Sequence, residues 1–246
     1  MEYSGCVPVP VNIVIVTVDV VCVTAAAALT WFTFKPCHAS RVPYLLGIPA
    51  GFGLLTIAFA MEALTVLALP NMPNLGQSLL LAFLLTQTYG FLFLGFTYAR
   101  RTRLRWIGES NVGMIASAVV ITLVLVGTIF AAGLPAASDV IPVGSQFLAR
   151  GIMLFAILYL VYETGRNWSL SRKASEGFVC VAYLFFLAEQ LGFILGLGNF
   201  GDISTFLGYE GRVLGLFILN TILYIGVKPG DFITALKRIG LEAPAH

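Results

Sequence analysis

Asp19, Glu62, Arg150, Glu189, Glu210 and Arg212 are six ionisable side chains set inside long apolar stretches of a 246-residue chain. Gln87 and Gln190 lie in the same stretches. Each charged group at the centre of a membrane helix costs about 2.5–3.5 kcal/mol on insertion scales, so such residues are retained where they pair or line a site. Two Arg against four acids leave a formal surplus of two carboxylates. A surplus of that sign favours a water-filled cavity, a bound cation or protonated acids. The competing explanation is purely architectural: Arg150 and Arg212 pair with carboxylates to hold helices together. Glu210 and Arg212 stand two positions apart and therefore point to different helix faces, with Glu210 expected toward the outer mouth.

Other chemistry is missing. A bis-His haem site needs His inside a span, whereas His38 falls in an expected turn and His246 is the last residue. Cys37-His38 has no further ligands nearby, so no metal site is expected. Cys6, Cys22, Cys37 and Cys180 fall in a tail, two spans and a turn, without the pattern of a disulfide framework. No Gly-x-Ser-x-Gly, His-Glu-x-x-His or Walker loop occurs, and Asp19 lacks the Gly-x-Gly-Asp-like context of an intramembrane protease. The chain is read as a non-enzyme without a cofactor. A net charge of +2 gives no footprint for nucleic acid.

The elements that position these residues follow from composition. The chain is 59% hydrophobic and 11% charged, against about 25% charged for a soluble domain. Seven stretches reach the roughly 20 residues needed to cross a bilayer: 11–34, 42–67, 77–99, 112–133, 143–162, 177–197 and 204–227. Breaker-rich turns such as Leu69-Pro70-Asn71-Met72-Pro73-Asn74 separate them, and the alternating ten-residue segments of a β-barrel are not found. The expected fold is all-α: residues 1–246 as a single polytopic membrane bundle of seven transmembrane helices.

Charge sets the expected orientation. Lys35, Arg41, Arg100, Arg101, Arg103, Arg105, Arg166, Arg172, Lys173, Lys228, Lys237 and Arg238 all fall on one side. The opposite side carries Glu2, Asp139 and Asp202. The positive-inside rule puts the N-terminus outside, the C-terminus in the cytoplasm and the protein in the cell membrane. Met1-Glu2-Tyr3-Ser4 lacks a basic leader region, so the first span is expected to be retained. Counted from the outer ends, the six ionisable residues lie about five to eight positions in, roughly 8–12 Å deep at 1.5 Å per residue. Gln190 joins that layer, and Gln87 lies slightly deeper.

An internal repeat is also suggested. Phe59-Ala60-Met61-Glu62-Ala63-Leu64 echoes Phe186-Leu187-Ala188-Glu189-Gln190-Leu191. Gln87-Thr88-Tyr89-Gly90-Phe91-Leu92-Phe93-Leu94 echoes Arg212-Val213-Leu214-Gly215-Leu216-Phe217-Ile218-Leu219. Residues 11–99 would correspond to 143–227, with 112–133 as the linker helix. The odd linker makes this a parallel repeat about an axis along the membrane normal. Chance similarity between helices rich in Phe, Leu and Gly is the alternative. Gly47-x-x-x-Gly51, Gly192-x-x-x-Gly196 and Gly211-x-x-x-Gly215 are candidate close-approach points between helices.

A 3+1+3 layout resembles the SWEET sugar transporters, and the seven-span, N-out, C-in topology resembles the microbial rhodopsins. More loosely, the chain resembles the seven-helix sensory input modules of prokaryotic signalling proteins, without a signature motif. These resemblances cover the whole chain as architecture and imply a polar site between the halves. Covalent retinal is excluded, because Lys35, Lys173, Lys228 and Lys237 all lie outside the spans. Arg212 cannot form that Schiff base. The aromatic and Asp pattern of a rhodopsin third helix is missing around Gln87. The hinge prolines of SWEET helices are also poorly represented, with Pro43 and Pro49 in the second span and none in the last three.

Two functions remain. The first is a non-enzymatic ligand-binding, sensory or accessory subunit, with Asp19, Glu62, Gln87, Arg150, Glu189, Gln190, Glu210 and Arg212 as its polar layer. About nineteen residues after the last span leave no room for an output domain. A membrane or cytoplasmic protein is then expected to dock at Arg100, Arg101, Arg103 and Arg105, a segment that equally suits anionic lipid or topology control. The second is a transporter of a small polar or cationic solute. Gly208, Gly211 and Gly215 are its only strong candidate for a helix break.

Overall fold

A computed structural model describes residues 9–39, 46–102, 143–197 and 202–226. They form six helices: α1 (Val9–Ala39), α2 (Gly47–Ala68), α3 (Pro73–Thr102), α4 (Val143–Ser171), α5 (Ala174–Leu197) and α6 (Asp202–Gly226). Each contains a segment of 22–26 residues long and apolar enough to cross a membrane. The protein is thus a multi-pass helical membrane bundle. The expected span 112–133 lies outside the described residues.

Consecutive helices pack side by side, and α6 returns against α1, so the six close into a ring. The inward stripes have helical spacing. On α1 it runs Asp19, Cys22, Ala26, Leu29 and Thr33; on α6 it runs Ser204, Gly208, Arg212, Gly215 and Leu219. Phe155, Phe217 and Tyr224 face outward, as expected of helices whose outer surface meets hydrocarbon rather than water. Between the stripes sits an apolar core that includes Phe52, Leu55, Phe91, Met153, Ile157 and Phe186.

Close packing within the ring depends on small residues. A Cβ at Gly51 would stand 3.0 Å from the Gly90 carbonyl oxygen, which brings α2 against α3. A Cβ at Gly192 would stand 2.6 Å from the Ser204 carbonyl oxygen, and one at Gly211 would stand 2.7 Å from that of Phe185. Those glycines seat α6 directly on the backbone of α5.

Three helices outrun their apolar stretches. The first continues through Lys35 to Ala39, so His38 lies on its last turn, stacked on Phe34 at 5.7 Å, rather than in a turn. The third extends to Thr102. The fourth runs nine residues past the apolar segment 143–162, to Ser171. Glu163 and Arg166 are good helix formers one turn apart and 3.9 Å from each other, so loss of apolar character does not end the helix. Its end comes at Arg172, which adopts a left-handed backbone with φ 51° and donates its N–H to the Trp168 carbonyl at 2.7 Å.

Candidate functional site

Every helix of the ring delivers a polar side chain to one level of the bundle. Arg212 of α6 is the centre, with 0% of its side chain exposed. Its Nε donates to Glu189 Oε1 of α5 at 2.8 Å, and its Nη1 donates to Asp19 Oδ1 of α1 at 3.0 Å and to Glu62 Oε2 of α2. Gln87 Nε2 of α3 donates to Glu189 Oε1 at 2.9 Å. The Tyr209 hydroxyl, one turn before Arg212, donates to Glu62 Oε1 at 3.1 Å. Arg150 of α4 donates from Nη1 to Gln190 Oε1 at 3.3 Å.

Aromatic rings complete the surroundings. The Arg212 guanidinium lies 4.6 Å from the ring centroid of Phe59, 5.2 Å from Tyr209 and 5.4 Å from Phe193. Arg150 lies 4.4 Å from the same Phe193 ring. The two guanidiniums therefore share one aromatic face-partner on α5. Cation–π contact of this kind strengthens when the cation is desolvated.

Seven of the eight candidate residues meet at this level. Asp19, Glu62, Gln87, Glu189 and Arg212 form one hydrogen-bonded set, and Arg150 with Gln190 forms a pair beside it. Glu210 does not join them: it is exposed and has no hydrogen bond or ion pair with another described residue. Two residues at about 100° each put Glu210 roughly 200° around α6 from Arg212.

The charge count changes as a result. Three buried carboxylates now stand against two guanidiniums, and only Arg212 makes an ion pair with them among the described residues. Asp19 Oδ2, Glu189 Oε2, Gln87 Oε1, Arg150 Nε, Gln190 Nε2 and Arg212 Nη2 are buried without a hydrogen-bond partner in the described structure. Buried polar atoms are normally satisfied, so this level holds unspent capacity for both donors and acceptors. No group of three or more His, Cys, Asp or Glu side chains among the described residues is arranged to hold a metal ion.

Some contributors escape a search for charge. Tyr209, Phe59 and Phe193 are ordinary aromatics by type, but they stand three residues from Arg212, three from Glu62 and four from Glu189. That spacing places each on the face of its neighbour. Glu163 lies beyond the expected fifth span yet is buried, with the Tyr159 hydroxyl donating to it at 3.3 Å. It belongs to the far end of α4, not to the Arg212 level. An apolar groove of about 250 Å³ lined by Ala27, Thr30, Trp31, Phe34, Gly53 and Thr56 also lies apart. On α1 its lining begins at Ala27, about two turns from Asp19.

No family model matches this chain, and neither a curated protein nor a solved structure is found to be similar to it.

Proposed function

We propose that this chain is a non-enzymatic, receptor-like or accessory membrane subunit whose ligand acts at the Arg212 network. The observation that carries the reading is convergence: Asp19, Glu62, Gln87, Arg150, Glu189 and Arg212 come from six different helices. A change in charge or hydrogen bonding at that level acts on every helix of the ring at once. A scaffold held by one ion pair needs no such arrangement.

Supporting arguments concern orientation and ancestry. The one-sided distribution of basic residues favours an N-terminus outside and a cytoplasmic C-terminus in the cell membrane. Output then passes to a separate protein on the basic cytoplasmic segments, including Arg100, Arg101, Arg103 and Arg105. The order of packing suits a duplicated three-helix unit. First helices contribute Asp19 and Arg150, second helices Glu62 and Glu189, and third helices Gln87 and Arg212.

A second reading, transport of a small cationic solute, draws on the surplus carboxylate. One pair of experiments separates the two. Spin labels at Phe34 and Tyr224, exposed positions at the far ends of α1 and α6, report whether a change at the network reaches those ends. Under the receptor-like reading, Glu62→Gln shifts the label-to-label distance. An unchanged distance refutes that reading. Uptake of radiolabelled tetramethylammonium by proteoliposomes, abolished by the same substitution, would establish transport instead.

A further inference from the structure

We propose that the Arg212 network is a proton-binding site and that the exchangeable proton sits on the Asp19 carboxyl. This deepens the receptor-like reading by naming the proton as the ligand to which the subunit responds.

The first support is charge. With Asp19, Glu62 and Glu189 ionised beside Arg150 and Arg212, the level carries one uncompensated negative charge. The linker stretch 112–133 contains no ionisable side chain, so it cannot supply a cation wherever it packs. All remaining Lys and Arg lie beyond the seven apolar stretches of the sequence. One proton restores neutrality.

The second support is the distribution of donors. Glu189 accepts from Arg212 and Gln87, and Glu62 accepts from Arg212 and Tyr209. Among the described residues Asp19 accepts only from Arg212 Nη1, a nitrogen it shares with Glu62. Its second oxygen, Oδ2, is buried and has no partner among the described residues, on a side chain that is 0% exposed. Hydrogen bonds to the charged form are what make a buried carboxylate tolerable. Asp19 has the fewest, so the proton is cheapest to keep there.

The groups facing Asp19 are Glu62 from α2, Arg212 and Tyr209 from α6, Glu189 from α5, and the buried Cys22 one turn along α1. A proton suits this setting better than a metal ion, because the acids surround a guanidinium instead of a common vacant point. The step is a simple dissociation. The Asp19 O–H bond breaks, its electron pair stays on the carboxylate oxygen, and the proton passes to water. No oxidation or reduction occurs. Loss of the proton sets a third carboxylate charge against Glu62 of the neighbouring α2 and Glu189 of α5, while it strengthens the pull of Arg212 of α6 on α1.

Infrared spectroscopy of the full chain in lipid nanodiscs tests this directly. At neutral pH the wild type should show the C=O stretch of a buried protonated carboxylic acid, shifting down in D2O. Asp19→Asn should remove that band, while Glu62→Gln and Glu189→Gln should keep it. A wild type without the band, or a band that survives Asp19→Asn, overturns the proposal. Should Asp19→Asn fail to fold, alkaline titration of the wild-type band serves, because a fixed ionised network has no such band to lose. Asp19→Asn, which imitates the protonated acid, should also melt close to wild type, whereas Glu189→Gln melts well below it. Equal losses refute the assignment to Asp19. The spin-label distance between Phe34 and Tyr224 keeps the two claims apart. A titrating band without movement leaves the proton site and removes the receptor-like reading. Movement on Glu62→Gln without a band does the reverse.

Discussion

Replacing Glu189 by Gln removes one negative charge from a fully buried acid of the network without changing its size. Glu189 Oε1 accepts from both Arg212 Nε and Gln87 Nε2, and its side chain is 0% exposed. A Gln oxygen can keep one or both of those bonds, but the guanidinium loses the full charge of its partner. The new amide nitrogen is an additional donor where donors already lack acceptors. Breaking a buried pair by removing one partner costs about 3–5 kcal/mol. With roughly 2–4 °C of melting temperature per kcal/mol for a chain of this size, the expected drop is about 6–20 °C. Buried Cys22 and Cys180 provide the assay, since a thiol-reactive fluorophore reaches them only on unfolding. Cys6 and Cys37 are changed to Ser in the background. A Glu189→Gln protein melting within about 2 °C of its parent, well under the roughly 6 °C that the lower figure of about 3 kcal/mol gives, would refute the reasoning. Glu189 would then carry no net load in the bundle.

Four further outcomes follow from the same geometry. Gly192→Ala sets a methyl group 2.6 Å from the Ser204 carbonyl oxygen. The resulting separation of α5 from α6 should destabilise by about 1–3 kcal/mol, as overpacking does, and melting of Gly192→Ala against Gly53→Ala, whose Cβ meets only Thr30 at 3.6 Å, checks it. Arg172→Gly relieves a left-handed residue at the α4–α5 turn; unfolding should show a gain of up to about 1 kcal/mol, because the αL region costs a non-glycine residue about 1–2 kcal/mol and glycine returns part of that through unfolded-chain entropy. Glu210→Gln should leave melting unchanged, since Glu210 is exposed and outside the network. For orientation, a Cys introduced at Arg103 should label only in permeabilised cells and one at Asp139 from outside; the reverse pattern would overturn the positive-inside argument.

Much of the fold was legible because bilayer thickness imposes a length on each helix, and apolar runs of that length are conspicuous in the sequence. Ends were less legible. Arg166 and Glu163 look like the start of a turn by polarity, yet they continue α4, because helix propensity and an i,i+3 contact outweigh the loss of apolar character. The site was legible in depth and in part in azimuth: the two-residue spacing already sent Glu210 to a different face from Arg212, but it did not show which side chains of the other helices would meet Arg212. Counting residues from the helix ends places Glu210 in the same layer as Arg212; the 100° turn per residue sends the two to different sides. Phe193 was invisible to a search for charge, although its spacing from Glu189 puts it on the same face. The glycine pairs were legible as close-approach points, but which backbone each would meet depends on the ring order of the helices.

The central claim is that residues from six helices act as one unit around Arg212. A double-mutant cycle between Glu62→Gln and Gln87→Leu tests it most directly, since these side chains share no hydrogen bond and connect through Arg212 and Glu189. If the network is one unit, the two losses of stability should depart from additivity by about 1 kcal/mol or more, within the range of roughly 0.5–3 kcal/mol seen for residues of a single network. Additivity to within about 0.3–0.5 kcal/mol, the behaviour of independent sites, would contradict the account.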